Sequence, residues 1–231
     1  AHSPDVIVNC AAYTDVDGAE DDPATALERN AFGVLALARA AAGRGATLIH
    51  YSTDFVFDGT ASTPYSEEDA PNPRSTYALS KLLGEWFAAD APSHYVLRVE
   101  SLFGGTRAKS SIDRILDALR EGRPARVFFD RTVTPSYVAD VADASAQLLR
   151  RGAPFGLYHC VNTGSSTWQG VAEEAVRLMR VSGEIVPVSV KDVPLRASRP
   201  QYCALSNDKL RSVGIAMPTW QDALARYIGR R

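Results

Sequence analysis

Cysteine is scarce in this sequence. The three residues, Cys10, Cys160 and Cys203, are odd in number and widely spaced. That argues against a disulfide framework and against a cysteine-built metal site, and it makes a reducing cytoplasm the expected compartment. Apolar runs long enough to span a bilayer are missing. No basic, apolar leader of the secretory kind is seen at the start. An excess of one charge is missing too: 25 Lys and Arg stand against 27 Asp and Glu, a formal net charge of −2. The strongly basic face of a nucleic-acid or membrane-surface binder is therefore not expected. What is present is a 231-residue chain that is 45% hydrophobic, enough to bury a core without staples.

Short apolar runs alternate with helical patterns. Strands are expected at Asp5–Ala11, Ala46–Thr53, His94–Glu100, Arg126–Phe129, Gly156–Val161 and Glu184–Val190. Helices are expected at Pro23–Gly43, Ser75–Ala89, Ser111–Glu121, Val138–Arg150, Thr167–Val181, Asn207–Val213 and Thr219–Ile228, the first with a proline near its start and a glycine at its end. Continuously apolar strands between helices imply a parallel sheet covered on both faces, an α/β doubly wound, Rossmann-like fold. A division into residues 1–151, Rossmann-like, and 152–231, a smaller and mainly substrate-binding portion, is expected. The polar stretch after Thr53 is long for a connector, as functional loops often are.

The stretch STYALSKLLGE sets Tyr77 four residues before Lys81, which puts both on one helical face roughly 6 Å apart. An ammonium beside a phenol favours the phenolate, which predicts a Tyr77 pKa below the usual ~10 and a group able to exchange a proton. Taken alone the spacing is weak, because a surface Tyr resting on a Lys stem has the same pattern. Context adds to it. Ser52, Thr53 and Asp54 fall at the carboxyl end of a parallel strand, the rim where ligands bind in open α/β sheets. A Thr hydroxyl there can donate to an oxygen that gains charge, or can simply cap the strand end. Ala11 and Ala12 end another strand at the same rim, where small side chains admit a flat ligand or merely pack tightly. Asn30 interrupts an apolar helix face, either to orient its surroundings or as an ordinary buried hydrogen-bonding group.

Four segments in order, PDVIVNCAAYTDVDGAE, STDFVFDGT through PYSEEDAPNPRSTYALSKLLGE, GLYHCVNTGSSTW and ASRPQYCALSNDKL, resemble the dTDP-4-dehydrorhamnose reductase family of extended short-chain dehydrogenase/reductases. The resemblance runs from Pro4 to the C-terminus. It implies NADPH- or NADH-dependent reduction of the 4-keto group of a nucleotide-linked 6-deoxysugar, with the nucleotide-sugar as partner molecule and a possible homodimer. It implies that Tyr77 donates the proton, that Lys81 tunes Tyr77 and holds the nicotinamide ribose, and that Thr53 bonds the substrate oxygen. Ala11, Ala12 and Tyr13 would line the cofactor path, with Asn30 among the cofactor-side residues and Ser52 beneath the nicotinamide. Asp54, Phe55, Ser101 and Arg199 would face the substrate, Arg199 suiting a diphosphate or else forming a surface ion pair. Phe55 stands where the family commonly has Tyr, and Ser101 where it usually has Trp, so the identity of the sugar is open.

The same resemblance exposes one more absence. Neither G-x-G-x-x-G nor G-x-x-G-x-x-G occurs, yet this fold cradles a pyrophosphate on such a turn. Asp5–Ala11 corresponds to the family's fourth strand, so an N-terminally truncated sheet is expected, with roughly 60 residues of two β-α units preceding it. Two other readings stay open at this stage. One is a non-catalytic regulatory subunit of the methionine adenosyltransferase type. The other is a nucleotide-sugar epimerase or dehydratase, for which Asp54 beside Thr53 is suggestive.

Overall fold

The structure is a computed structural model and describes residues 3–231. In chain order the elements are β1 (Val6–Asn9), α1 (Gly18–Asp21), α2 (Pro23–Leu27), a π turn (Glu28–Phe32), α3 (Gly33–Ala42), β2 (Thr47–Thr53), α4 (Thr76–Ala88), β3 (His94–Val99), β4 (Leu102–Phe103) and α5 (Ser111–Arg120). Then come β5 (Ala125–Phe128), β6 (Thr132–Val133), β7 (Ser136–Tyr137), α6 (Val138–Arg151), β8 (Gly156–His159), β9 (Ser166–Thr167), α7 (Trp168–Met179), β10 (Ile185–Val188), α8 (Asp208–Ser212) and α9 (Trp220–Arg230).

The main sheet is wholly parallel, in the order β1-β2-β3-β8. Alternation along β2 and β3 divides their side chains between two cores. Leu48 and Val96 pack with Val34, Ala38 and Ala88 of α3 and α4. Ile49, Tyr95 and Leu97 pack on the other face with Val141 and Leu148 of α6 and Leu210 of α8. Covered on both faces, β2 and β3 have no solvent-facing side, so most of their positions are apolar, and polar ones such as His50 and Arg98 are buried.

A second layer has its own core of Ile112, Leu116, Val127, Val171, Trp220 and Leu224. It is built from α5, α7, α9 and the parallel pair β5-β10. The two layers interleave in sequence: β8 returns to the main sheet after α5 and β5 have joined the second layer. The long segment after β2 is ordered by a small core of Val56, Phe57, Tyr65, Leu82, Val161 and Leu205. Within it Phe57 and Tyr65 stack at 4.1 Å.

The expected helix Pro23–Gly43 is interrupted. α2 runs into the π turn, and α3 continues from Gly33. The extra residue in that turn carries Asn30 inward, where it is 1% exposed, and π turns of this kind concentrate at functional positions. α4 packs directly on this turn at Gly84, where an added Cβ would stand 2.2 Å from the Asn30 carbonyl oxygen. Among the described residues no helix is long and apolar enough to cross a membrane.

Candidate active site

The site forms where β2 and β3 end. β2 stops at Thr53, which pairs in register with Val99, the last residue of β3. The chain then turns sharply: the Thr53 hydroxyl accepts from the Phe55 amide at 3.2 Å and donates to Asp54 Oδ1 at 3.0 Å. α4 starts opposite, capped by Ser75, whose hydroxyl accepts from the Ala78 amide at 3.2 Å. Glu20 accepts from the amide and hydroxyl of Thr76, both at 2.8 Å, which suits a carboxylate at a helix N-terminus. The first turn of α4 thus presents Tyr77, and the second presents Lys81.

Tyr77 shares the cavity wall with Thr53, and its ring meets Phe55 edge-on at 5.9 Å. Burial, and next the Asp54 carboxylate, push its phenol up to about 12. The lowering expected from Lys81 is therefore not found. The physical reason is that the Lys81 ammonium is directed into the sheet, donating to the Tyr51 carbonyl at 2.5 Å, while desolvation and a carboxylate dominate around the phenol. The raised pKa keeps the Tyr77 phenol in its protonated form. Lys81 is itself 3% exposed. Burial draws it down to about 8, opposed by Glu85.

On the β1 side, the Asn30 side chain accepts from the Tyr13 amide at 2.8 Å and donates to the Tyr13 carbonyl at 3.0 Å and the Ser80 hydroxyl at 2.9 Å. It acts on the Ala11–Tyr13 segment by clamping it, with every hydrogen of its amide used internally. Asn9 fixes the same segment from below, accepting from the Ala11 amide at 3.1 Å. Ser52 lies 3% exposed and donates to Glu85 Oε1 at 2.5 Å. Glu85 is in turn gripped by Arg98 through two bonds of 2.9 and 2.8 Å.

A cavity of about 590 Å³ opens above Thr53 and Tyr77, with Ser52, Asp54, Phe55 and Ser101 also in its wall. Ser101 holds a left-handed backbone, φ 44°, and donates to Glu100 at 3.2 Å. Arg199 is not in that wall. It pairs with Asp17 at 2.8 Å and lies 6.0 Å over the Phe55 ring.

Several wall residues escape a reading of the sequence. Glu100 follows β3, and Arg131 precedes β6, 5.2 Å over Phe55. Arg107, Lys109 and Arg114 line the outer part of the cavity. A pocket of about 320 Å³ that shares Arg114, Arg131 and Trp168 with this cavity adds Arg123 and Arg126. Basic clusters on one face were the only available signal, and they are scattered through three segments of the chain. Together they make a positive end suited to an anionic group and an aromatic wall suited to a base.

The family description "RmlD substrate binding domain" matches residues 1–231. The chain is 36% identical to the dTDP-4-dehydrorhamnose reductase of Burkholderia thailandensis, over 96% of this chain and 80% of that protein. It is 38% identical to the Mycobacterium tuberculosis protein of the same name, over 96% and 75%. Among solved structures it superposes on the dTDP-4-dehydrorhamnose reductase of Bacillus anthracis in complex with NADP, with a TM-score of 0.93 at 31% identity, covering 99% of this chain and 82% of that one. A matching α/β sheet and these alignments agree, and the chain belongs to the dTDP-4-dehydrorhamnose reductase family.

Proposed function

We propose that this chain carries the proton-donating and substrate-binding parts of an NAD(P)H-dependent reductase acting on the 4-keto group of a dTDP-linked 6-deoxysugar. The observation that carries the reading is a half-buried Tyr77, kept protonated, in the wall beside Thr53 of a cavity with a basic far end.

The residues present fit the nicotinamide end of the cofactor. The Lys81 ammonium has three hydrogens and one protein partner, the Tyr51 carbonyl, leaving donors for ribose hydroxyls. Ala11 and Ala12 offer only methyl groups beside an ordered backbone, so a flat ring can approach. When bound, NADPH or NADH supplies a hydride to the sugar carbonyl carbon. Thr53 donates to the carbonyl oxygen as negative charge develops there. Tyr77 gives its proton to that oxygen, while Lys81, directed into the sheet, serves the ribose. Phe55 and Ser101 shape the sugar end, and the arginines of the outer cavity take the diphosphate. Arg199, held by Asp17, braces the Phe55 side of the pocket. The substrate portion consists mainly of residues after 152, joined by α5 and β5. A cytoplasmic homodimer completes the reading, and light scattering tests the dimer.

The protein encoded by the full reading frame, mixed with NADPH and dTDP-4-keto-6-deoxysugars, is expected to oxidise NADPH and yield the 4-hydroxy sugar. Tyr77→Phe is expected to lower kcat by about 10²- to 10⁴-fold with KM little changed. Absence of oxidation with every such sugar overturns the proposal. A dehydrated or epimerised product by NMR assigns a different reaction to the same site.

A further inference from the structure

Behind Thr53 lies a group of ionisable side chains that the reduction step leaves unused. Asp54 is 4% exposed and Glu100 2% exposed. With the Cys203 sulfur, their oxygens lie within 4.8 Å of one another. Glu100 is already well supplied with donors: the Thr134 amide bonds Oε2 and the Ser101 hydroxyl bonds Oε1. Asp54 Oδ1 accepts from Thr53, but Asp54 Oδ2 is buried without any partner. One guanidinium, that of Arg131, faces the group, donating to the Pro200 carbonyl at 3.1 Å and the Cys203 sulfur at 3.6 Å.

The charges decide what this group is. Two carboxyls and one guanidinium in a water-poor site balance only if one carboxyl keeps its proton. A divalent cation is disfavoured because Arg131 already supplies the positive charge beside all three candidate ligands. Burial raises both acids, Asp54 to about 6 and Glu100 well above the ordinary value, which favours keeping one proton on the pair. Cys203 is pushed up as well and stays a neutral thiol.

We propose that Asp54 and Glu100, balanced by Arg131, are a proton store that recharges Tyr77 through the Thr53 hydroxyl after each reduction. The inference rests on the reductase reading above. Tyr77 loses its proton to the sugar oxygen and becomes a phenolate. Thr53 passes its hydroxyl proton to the phenolate and takes one from the Asp54 carboxyl. Glu100, with an oxygen within 4.8 Å of Asp54, passes its proton to Asp54 through a water from the open cavity, and solvent returns one proton to Glu100. Each cycle thus consumes one hydride and one solvent proton, and no other reactant is needed. The path is short: Tyr77 and Thr53 share the wall of one cavity, and the Thr53 hydroxyl stands 3.0 Å from Asp54 Oδ1.

The test separates the first turnover from later ones. Wild type and Glu100→Gln, both of full length, are mixed rapidly with NADPH and the keto sugar. The first turnover of Glu100→Gln is expected to keep the wild-type rate, since Tyr77 starts protonated. Its steady-state kcat is expected to fall by about tenfold to a hundredfold with KM unchanged, and Glu100→Asp to recover part of it. A second measurement needs no variant. The infrared spectrum of the wild-type protein at neutral pH is expected to show a protonated carboxyl band that Asp54→Asn removes. The relay is overturned if Glu100→Gln turns over at the wild-type rate, if its first turnover falls in step with kcat, or if the carboxyl band is absent. A wild-type protein with no first turnover overturns the reductase reading and the relay with it.

Discussion

Lys81 carries the most direct pH signature at the scale of single residues. Burial brings its ammonium down to about 8, against about 10.4 for a free lysine. The reductase reading needs the charged form, so kcat/KM is expected to fall as pH rises through about 8, because that parameter reports the free enzyme. The sign for stability is the opposite. Between about 8 and about 10.4 the unfolded chain binds more protons at this position than the folded one, so the Lys81 contribution to stability rises with pH. Activity and thermal midpoint measured across pH 7–10 should therefore diverge, and Lys81→Met should be slow with a flattened alkaline limb. Thr53, Tyr77 and Lys81 were legible because a short spacing and a strand end announce them. Glu100, Arg131 and Cys203 were not, since three separate segments bring them together and no local pattern links them.

The pairing of α4 with the π turn belongs to the scale of elements. Gly84 sits where any side chain would strike the Asn30 carbonyl, a backbone atom that cannot swing aside. Gly84→Ala is expected to destabilise the protein by about 1–3 kcal/mol or more, as overpacking does. It is also expected to weaken cofactor binding, because Asn30 would lose its hold on Tyr13. Urea denaturation and NADPH titration check the two effects separately. The outlines of α4, β2 and β3 were readable to within a residue or two from capping and apolar runs. The break after Leu27 was not, because the apolar pattern of Pro23–Gly43 continues through it and contacts with Tyr13, Ser80 and Gly84 fix it.

At the scale of the whole molecule, Arg98 is the joint. It lies on β3, grips Glu85 of α4, stacks 4.9 Å over Phe57 of the long loop and reaches His159 of β8 at 3.4 Å. Both partners of the ion pair are almost wholly buried, at 2% and 6% exposure. Arg98→Met strands the Glu85 charge and is expected to cost about 3–5 kcal/mol, whereas Arg98→Met with Glu85→Leu should regain much of it. Thermal unfolding of the single and double variants tests this.

The Asp17–Arg199 pair joins distant parts of the chain. Asp17 also accepts from the Ala197 amide at 2.9 Å, and Arg196 pairs with Asp21 beside it. The segment that meets Arg131 at Pro200 and Cys203 is thus buttoned to the β1 side by charges, and Asp17 is 42% exposed. Exposed ion pairs weaken with ionic strength. Salt therefore acts on this fold as a lubricant: it should loosen the buttons, raise KM for the sugar and hasten product escape, so that the best salt concentration for turnover lies above the best one for binding.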